Sequence, residues 1–432
     1  MRRLILICGC GLLFVASLRF FYALAPKHDH ASKLAVKQVT QKLADALTSK
    51  NQPAVRELAA EAAALRGDSA GIPEVADQYQ QAPQDVAPLT RAEAQARFDT
   101  ILQFVQKNKW WRMGLDPTKT EHMPREVASC MVGCLAGCRA DSPNHDALLK
   151  EAVEAGDYLL WAQKQTGTGV IPLPAFHGGG SRAHEAVDHF LKAAEREGKL
   201  DEAVKNGWII DDLTDGGLQY DNGVCGVALF ELFEASMEAR FRDGALAAAD
   251  WAIERPCVTN WNYNSFSVYL LATAYGVTHD PKYLDAAREK ARLGVLPGQL
   301  HDGPRKGRWA DPHNARPAYH YIMVRGLCAL FAVLPDKDPD SEQIAGAINS
   351  AMLARNDEFS SKGIMNVESA LEALLLFKSL PARQQQAIGP CNADEALGVL
   401  ERYCTARLRK GQNPFSPGVG GRYFESVLTR AR

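Results

Sequence analysis

Two patterns of apolar and polar positions alternate along most of the chain. In the first, apolar residues recur every three or four positions behind a capping residue, as in residues 392–410, which open with N-A-D-E. In the second, the segment is apolar on nearly every side, as in residues 266–274. A helix with one apolar face lies at the surface of a core, whereas a helix that is apolar all round is buried. The chain therefore predicts outer and buried helices in alternation.

The buried segments recur with a regular spacing. The leads GGLQYDNG, NWNYN, RPAYHY and IMNVES precede them, and marker residues in these leads are about 43, 58 and 45 residues apart, which is the size of one helical hairpin. Outer helices are predicted at residues 146–163, 280–293, 341–355 and 392–410, and buried helices at residues 127–138, 224–233, 266–274, 322–333 and 371–380.

This repeat predicts an all-α fold of the (α/α)6 toroid type, made of helical hairpins. The helices on the concave side of an open solenoid keep a polar stripe for the surface that they expose, and the predicted buried helices have none. A closed ring fits better, and we expect it to span residues 90–432. Five inner helices are predicted. The sixth is either residues 184–196, which alternatively form a lid, or the tail 413–426, which alternatively hangs over the ring.

The N-terminus predicts export. Residues 1–26 combine a positive start with a short apolar stretch and with the small residues Ala23 and Ala25, a combination typical of a signal peptide. The apolar stretch is short for a membrane span, and Pro26 is unfavourable for cleavage. We expect a periplasmic or secreted protein in which this segment is either removed or kept as an anchor through residues 4–25, its one contact with a membrane.

Two further segments lie between this signal and the toroid. Residues 27–66 repeat apolar residues three and four positions apart and predict a helical hairpin. Residues 67–89 hold three prolines and predict a linker. The chain has a formal net charge of −2 and 46% hydrophobic residues, so it has a globular composition without the positive field that nucleic acid attracts. Nucleic acid is therefore not an expected partner.

The cysteines and acidic residues give no clear metal motif. Cys130, Cys134 and Cys138 lie four residues apart on one helical stripe among small residues, which predicts close helix packing rather than a metal site. The acidic residues 211–215, D-D-L-T-D, are either a solvated turn or a calcium loop without a recognised spacing. We expect no cofactor apart from a possible Ca²⁺, and the sequence leaves any metal ligands unknown.

Polar and aromatic side chains collect directly before three of the buried helices. The starts of inner helices meet at one end of a toroid, so these clusters should line a funnel. Aromatic faces with amides and carboxylates suit sugars, although each residue could also cap or fill the core. We predict catalytic roles for Asp221, Tyr263, Asp311, His320 and Tyr321, and substrate contacts for Asn222, Trp261, Asn262, Asn264, Trp309, His313, Arg316 and Tyr319.

The stretch from about residue 147 to residue 334 resembles the six-hairpin carbohydrate-active superfamily. That superfamily holds α/α-toroid glycoside hydrolases, unsaturated-uronyl hydrolases and toroid polysaccharide lyases. The resemblance lies in the hairpin repeat and in the leads quoted above, and N-W-N-Y-N is similar to the asparagine–aromatic helix starts of toroid lyases. It implies a toroid that acts on carbohydrate, while no complete catalytic motif of one family is present.

Two chemistries stay open on these residues. Hydrolysis of a glycosidic bond needs two carboxylates, and Asp221 with Asp311 could supply them, with Asp215 as a substitute. Elimination needs a group that neutralises a uronate, for which Asn262 or Arg316 is suited, and a base and an acid.

Elimination is favoured, because tyrosine, histidine, asparagine and arginine outnumber well-placed carboxylate pairs. Tyr263, His320 or Tyr321 would serve as base and acid. A glycan-binding or scaffold toroid without catalysis is the third alternative. A shared site requires that Asp221, Tyr263 and His320 face one cavity.

Overall fold

Several helices begin at capping residues that the sequence makes visible. A computed structural model of the chain describes residues 30–69, 79–120, 122–177, 182–213, 215–311 and 313–430. Thr90 and Glu93 form a capping box, in which each side chain accepts a hydrogen bond from the backbone amide of the other. Asp280 caps the helix that starts at Pro281, because its side chain accepts a hydrogen bond from the Lys282 amide. Such caps satisfy amides that the first helical turn leaves unpaired.

The described residues are mainly helical and include one small sheet. The helices are α1 (His30–Thr48), α2 (Gln52–Arg66), α3 (Arg91–Asn108), α4 (Pro124–Arg139), α5 (His145–Thr166), α6 (Arg182–Arg196), α7 (Leu200–Ala203), α8 (Gly217–Ser236), α9 (Ala239–Glu254), α10 (Trp261–Thr278), α11 (Pro281–Gly294), α12 (Pro317–Val333), α13 (Ser341–Arg355), α14 (Glu358–Ser361), α15 (Glu368–Ser379), α16 (Ala382–Ile388), α17 (Ala393–Arg409) and α18 (Pro417–Arg430). The strands β1 (Leu173–Pro174), β2 (Val204–Lys205) and β3 (Trp208–Ile209) pair antiparallel in the order β1-β3-β2.

Six of these helices form a closed inner ring. Each packs on the next in the order α4, α8, α10, α12, α15 and α18, and α18 packs back on α4. Six amphipathic helices pack around them: α5 on α4 and α8, α9 on α8 and α10, α11 on α10, α13 on α12, α17 on α15, and α3 on α18 and α4. The predicted all-α (α/α)6 toroid is confirmed.

The ring closes between its first and last helices through facing glycines. A Cβ on Gly421 of α18 would lie 2.8 Å from the Cα of Gly133 in α4, and a Cβ on Gly133 would lie 2.6 Å from the Pro417 carbonyl oxygen. Helices approach this closely only where a side chain is absent. The C-terminal tail therefore supplies the sixth inner helix, one of the two arrangements that the sequence left open.

Residues 184–196 are not a ring helix. They belong to α6, whose Val187 and Leu191 pack with Met123 and Leu218, at the starts of α4 and α8. The expectation of a sixth inner helix there is wrong, because α6 buries one face only, whereas an inner helix is covered all round. The segment instead lies at the end of the ring where inner helices begin, the position that the lid alternative requires.

The N-terminal helices α1 and α2 form a hairpin on the outside of the ring. Asn51 caps α2, and Gly67 ends it with a left-handed φ of 68°. Lys50 pairs with Glu289 of α11 at 2.6 Å and fixes the hairpin to the outer layer. Residues 79–89 follow the ring surface, where Gln80 forms an antiparallel bridge with Ile364.

The predicted export segment, residues 1–26, lies outside the described residues. Within the ranges that the structure does describe, no helix has both the length and the apolar character needed to cross a membrane.

Candidate functional site

The inner helices begin at one end of the ring, and we call their first turns the mouth. Arg125 at the start of α4 pairs with Asp221 at the start of α8. The Ser416 amide, just before α18, donates to the carboxylate of Glu368 at the start of α15. These contacts between first turns show that the helices start together, as the sequence predicted.

Three tyrosines from neighbouring inner helices stand at the mouth. They are Tyr220 of α8, Tyr263 of α10 and Tyr319 of α12. Burial raises the pKa of each above the usual tyrosine value, and the nearby tyrosines add to the shift for Tyr263 and Tyr319. All three hydroxyls are therefore protonated across the physiological pH range and act as proton or hydrogen-bond donors.

A carboxylate lies beside Tyr263, because Gly216, the residue after Asp215, packs against the Tyr263 ring. Asp215 precedes α8, reaches solvent and accepts a hydrogen bond from the Gly217 amide. Partial burial raises the pKa of Asp215, and the negative charge of Asp212 raises it further. The charge of Asp215 in turn contributes to the raised pKa of Tyr263.

Two arginines bring positive charge to the same place. The guanidinium carbon of Arg125 lies 4.5 Å from the ring centroid of Tyr220, and that of Arg316 lies 5.7 Å from the centroid of Tyr319. At these distances a cation is attracted to an aromatic face. Arg125 is also paired with the carboxylate of Asp221, and both arginines place positive charge at the mouth.

His313 completes this group. Its ring stacks on Tyr319 with a centroid separation of 4.2 Å and an interplanar angle of 17°. Burial and the charge of Arg316 lower the pKa of His313 to about 4, so the imidazole is neutral at pH 7. The structure thus brings four residues predicted from the sequence, Tyr263, His313, Arg316 and Tyr319, together at the mouth.

Asp221 also lies at the mouth but is enclosed. Its side chain has no exposed surface, and its carboxylate accepts from the Arg125 amide at 3.2 Å and from Arg125 Nη1 at 2.8 Å. The proposed catalytic role does not fit this geometry, because both oxygens are held by an arginine and are shielded from substrate. Asp221 instead joins the starts of α4 and α8.

Asp311 serves a neighbouring loop rather than the mouth. Its carboxylate accepts from the amide of Asn314 at 2.8 Å and from Asn314 Nδ2 at 2.7 Å. Asn314 Oδ1 then accepts from the amide and the Nδ2 of Asn262. The predicted catalytic role of Asp311 and the predicted substrate contact of Asn262 are corrected, because both side chains hold the backbone that carries Tyr263.

His320 and Tyr321 face away from the mouth. His320 is fully buried, with Nε2 3.0 Å from the Ala351 carbonyl oxygen of α13. The Tyr321 hydroxyl donates to Asn356 Oδ1 at 2.9 Å. Successive residues of a helix point about 100° apart, so the side chains of His320 and Tyr321 point away from the side of α12 that carries Tyr319. The predicted catalytic roles of His320 and Tyr321 do not fit these buried positions, and the hypothesis of one cavity for Asp221, Tyr263 and His320 is wrong.

The other predicted substrate contacts hold the scaffold together. Asn222 accepts from the Ile171 amide and donates to the Ala248 carbonyl, and Asn264 bridges Val258 and Gly294. Trp261 packs on Gly298, and the Trp309 indole donates to the Val295 carbonyl at 2.8 Å. All four side chains are buried. Buried amides require such partners, so these residues have structural roles.

Arg125 and Tyr220 were not predicted as site residues. Tyr220 marks the repeat in the sequence but was given no role, and Arg125 lies in an unremarkable P-R-E start. A basic residue in the first turn opposes the helix dipole. That conflict is the one sequence signal that could have marked Arg125 as having a special partner.

The acidic segment before α8 carries its own counter-charge. Arg255 donates to both oxygens of Asp211 and, at 2.6 Å, to Asp212, and Asp212 also accepts from the Leu218 amide. Within the described ranges, no cluster of three or more histidine, cysteine, aspartate or glutamate residues is arranged to hold a metal ion. Cys130, one of the three stripe cysteines, is a buried thiol, and burial raises its pKa to about 12.

Comparison with known proteins gives structural similarity only. No family model and no curated protein matches the sequence. A polysaccharide lyase is similar at 11% identity and a TM-score of 0.47, over 79% of this chain and 97% of that one. A family 88 glycosyl hydrolase from Bacteroides vulgatus is similar at 11% identity and a TM-score of 0.45, over 78% and 99%.

A third similar structure is the GH76A alpha-1,6-mannanase from Salegentibacter sp. HEL1_6, at 14% identity and a TM-score of 0.30, over 71% of this chain and 99% of that one. These values are too low to carry a function. The fold is assigned from the closed ring of helices itself, and the six-hairpin architecture matches the resemblance seen in the sequence.

Proposed function

We propose that this protein is a carbohydrate-active enzyme that cleaves a uronate-containing poly- or oligosaccharide by elimination at the mouth of the toroid. The observation that carries the proposal is the placement of Asp215 beside Tyr263, with Arg316 and Arg125 in the same group. This set holds a base, an acid and a positive charge, which are the three parts that elimination needs.

Arg316 binds the substrate carboxylate in this mechanism. Neutralising that charge makes the proton on the adjacent carbon more acidic. Arg125 adds a second positive charge at the mouth, which Asp221 partly offsets. The stacked rings of His313 and Tyr319 next to Arg316 offer a flat surface for the face of a sugar.

Asp215 removes the proton. Its raised pKa makes the ionised carboxylate a stronger base than that of an ordinary aspartate. The electrons of the broken C–H bond form a carbon–carbon double bond, and the bond to the leaving sugar oxygen breaks. Tyr263 gives its hydroxyl proton to that oxygen, and it later regains a proton from water while Asp215 releases one.

Hydrolysis by paired carboxylates is less well supported. Asp221 is held by Arg125 and Asp311 by Asn314, so neither can protonate a leaving group or activate water. Of the carboxylates that the sequence offered for this chemistry, only Asp215 reaches solvent at the mouth. We also propose an exported location on the strength of the apolar N-terminal segment, since extracellular compartments are where such polymers would be met.

The test is a screen of uronate-containing and neutral glycans, in which cleavage is measured both by ultraviolet absorbance and by the release of reducing ends. Elimination creates a double bond and therefore raises both signals together. Replacing Tyr263 with phenylalanine should lower turnover about 10²- to 10⁴-fold, because it removes the acid. Tyr275→Phe, near the other end of the same helix, is the matched control and should be as active as the wild type.

Three other outcomes would contradict the proposal. Reducing ends without new absorbance would indicate hydrolysis. Binding of a glycan without either signal would indicate a non-catalytic toroid. Full activity in Tyr263→Phe would remove the proposed acid.

A further inference from the structure

We propose that Asp68, which lies outside the ring at the end of the N-terminal hairpin, is a positioning residue for Tyr263 and Arg316. The proposal rests on the proposed function for the meaning of those two residues. Its structural basis is a continuous chain of hydrogen bonds that runs from Asp68 through Asp311 and Asn314 to the first turn of α10.

The first link joins the hairpin to the loop before α12. Asp68 is only 2% exposed, which is rare for a carboxylate without strong partners. Its carboxylate accepts from Arg66 Nε at 2.9 Å and from the Asp311 amide at 2.8 Å, and its carbonyl accepts from Arg305 Nη1 at 2.5 Å. Hydrogen bonds to charged groups are about twice as strong as neutral ones, so this junction is firm.

The second link is a backbone conformation that needs support. Asp311 has a φ of 68°, in the left-handed region that residues other than glycine seldom adopt. Such conformations persist where the surroundings hold them. Asp68 holds the Asp311 amide, and the Asp311 carboxylate in turn holds both the amide and the side chain of Asn314.

The third link reaches the helix that carries the proposed acid. Asn314 Oδ1 accepts from the Asn262 amide at 3.1 Å and from Asn262 Nδ2 at 2.9 Å. The amides of a first helical turn have no partner within the helix, so Asn314 caps α10 from a separate loop. Tyr263 is the next residue, and the capping loop itself ends at Arg316, the proposed substrate clamp.

The relay therefore fixes the acid relative to the clamp. A shift of about 1 Å between catalytic groups can cost about 10²-fold in rate. Because the described part of the hairpin contributes no residue to the mouth, we infer that Asp68 acts through this chain of hydrogen bonds. The N-terminal hairpin is then a part of the active-site support rather than a spacer.

The test compares Asp68→Ala with Asp68→Asn in the full chain. The asparagine amide oxygen can still accept from the Asp311 amide, whereas alanine cannot. Hydrogen exchange in peptides covering residues 260–263 and 310–316 should accelerate about ten-fold in Asp68→Ala and stay near the wild-type rate in Asp68→Asn. On a cleaved glycan, kcat should fall about ten-fold in Asp68→Ala, with little change in KM and with rescue by asparagine.

Lys50→Ala is the matched control. It removes the ion pair with Glu289, which also docks the hairpin but lies outside the relay, and it should change neither readout. Unchanged exchange at residues 260–263 in Asp68→Ala overturns the relay, and faster exchange with an unchanged kcat overturns the positioning role. Failure of the proposed function would appear separately, as no turnover by the wild type, and the exchange data still decide whether Asp68 holds the mouth.

Discussion

Charged side chains occupy both the mouth and the opposite half of the inner ring, but they are paired differently. Far from the mouth, Glu231 of α8 accepts from Arg139 of α4 at 3.1 Å and from Arg422 of α18. Burial alone would raise the pKa of Glu231, but the two arginines outweigh it and hold that pKa below its usual value. At the mouth, Asp215 has a raised pKa, and no ion pair joins it to a lysine or arginine of the described residues.

This difference separates support from chemistry. A carboxylate whose pKa is lowered by folding stabilises the folded state when it is ionised. A carboxylate whose pKa is raised by folding destabilises the folded state when it is ionised. Carboxylates that have a perturbed pKa and no ion-pair partner are typical of functional sites. Substitutions at the two ends should therefore affect different properties, and activity and stability should separate.

The largest expected effect is on turnover at the mouth. Asp215→Asn removes the proposed base and should lower kcat about 10²- to 10⁴-fold. Its stability should stay near that of the wild type, because the residue reaches solvent. Initial rates of absorbance change on a cleaved glycan, together with urea unfolding, measure both properties. Asp243→Asn, an exposed aspartate on an outer helix, is the control, and equal losses in the two variants would refute a specific role for Asp215.

The opposite result is expected for Glu231→Ala. This change removes the carboxylate that Arg139 and Arg422 share, while Arg139 keeps Glu425, and losing a hydrogen bond to a charged group typically costs about 1.5–3 kcal/mol. The free energy of unfolding in urea measures it. Activity per folded molecule should remain, because most of the length of α8 separates Glu231 from the mouth. Glu234→Ala, an exposed residue on the same helix, should change stability by less than about 0.5 kcal/mol, and a similar small loss at Glu231 would contradict the contrast.

The ring could be predicted from the sequence because burial leaves a pattern that repeats at the helical period. The inner helices are apolar all round and the outer helices are apolar on one face, so the two kinds separate. The sixth inner helix was ambiguous because α18 begins P-G-V-G-G. Small residues there replace a broad apolar surface, since close packing on α4 leaves no space for larger ones.

The orientation of residues within the inner helices could not be predicted. An all-apolar helix has no polar face to show which side points to the mouth, so the sequence placed Tyr319, His320 and Tyr321 all at the site. Asp221 was misassigned for another reason. Its partner Arg125 is 96 residues away, and one sequence carries no sign of such a pairing.

The closure of the ring gives a third, smaller expected effect. Gly133→Ala places a Cβ against the Pro417 carbonyl, and overpacking of this kind typically costs about 1–3 kcal/mol. Gly346→Ala is the matched control, because no atom lies within 4 Å of the position that a Cβ on this helical glycine would take, and it should stabilise by about 0.5–1 kcal/mol. Thermal unfolding of both variants would show opposite signs. Stabilisation by both changes would contradict the glycine contact between α4 and α18.

The smallest expected effect is the dependence of stability on the charge of Asp215. Because its pKa is raised by folding, its contribution to stability is fully present below the unfolded pKa of about 3.9. That contribution is lost as pH rises through the higher folded pKa. Solvent screening at this exposed position keeps the loss below about 1 kcal/mol.

Asp215→Asn cannot ionise, so it should be slightly more stable than the wild type at neutral pH and no more stable at acid pH. Urea midpoints measured at several pH values would show this convergence. Asp243→Asn should show no such trend. A variant less stable than the wild type at neutral pH would mean that the carboxylate has a stabilising partner, as Glu231 does, and the mouth would then be built like the opposite half of the ring.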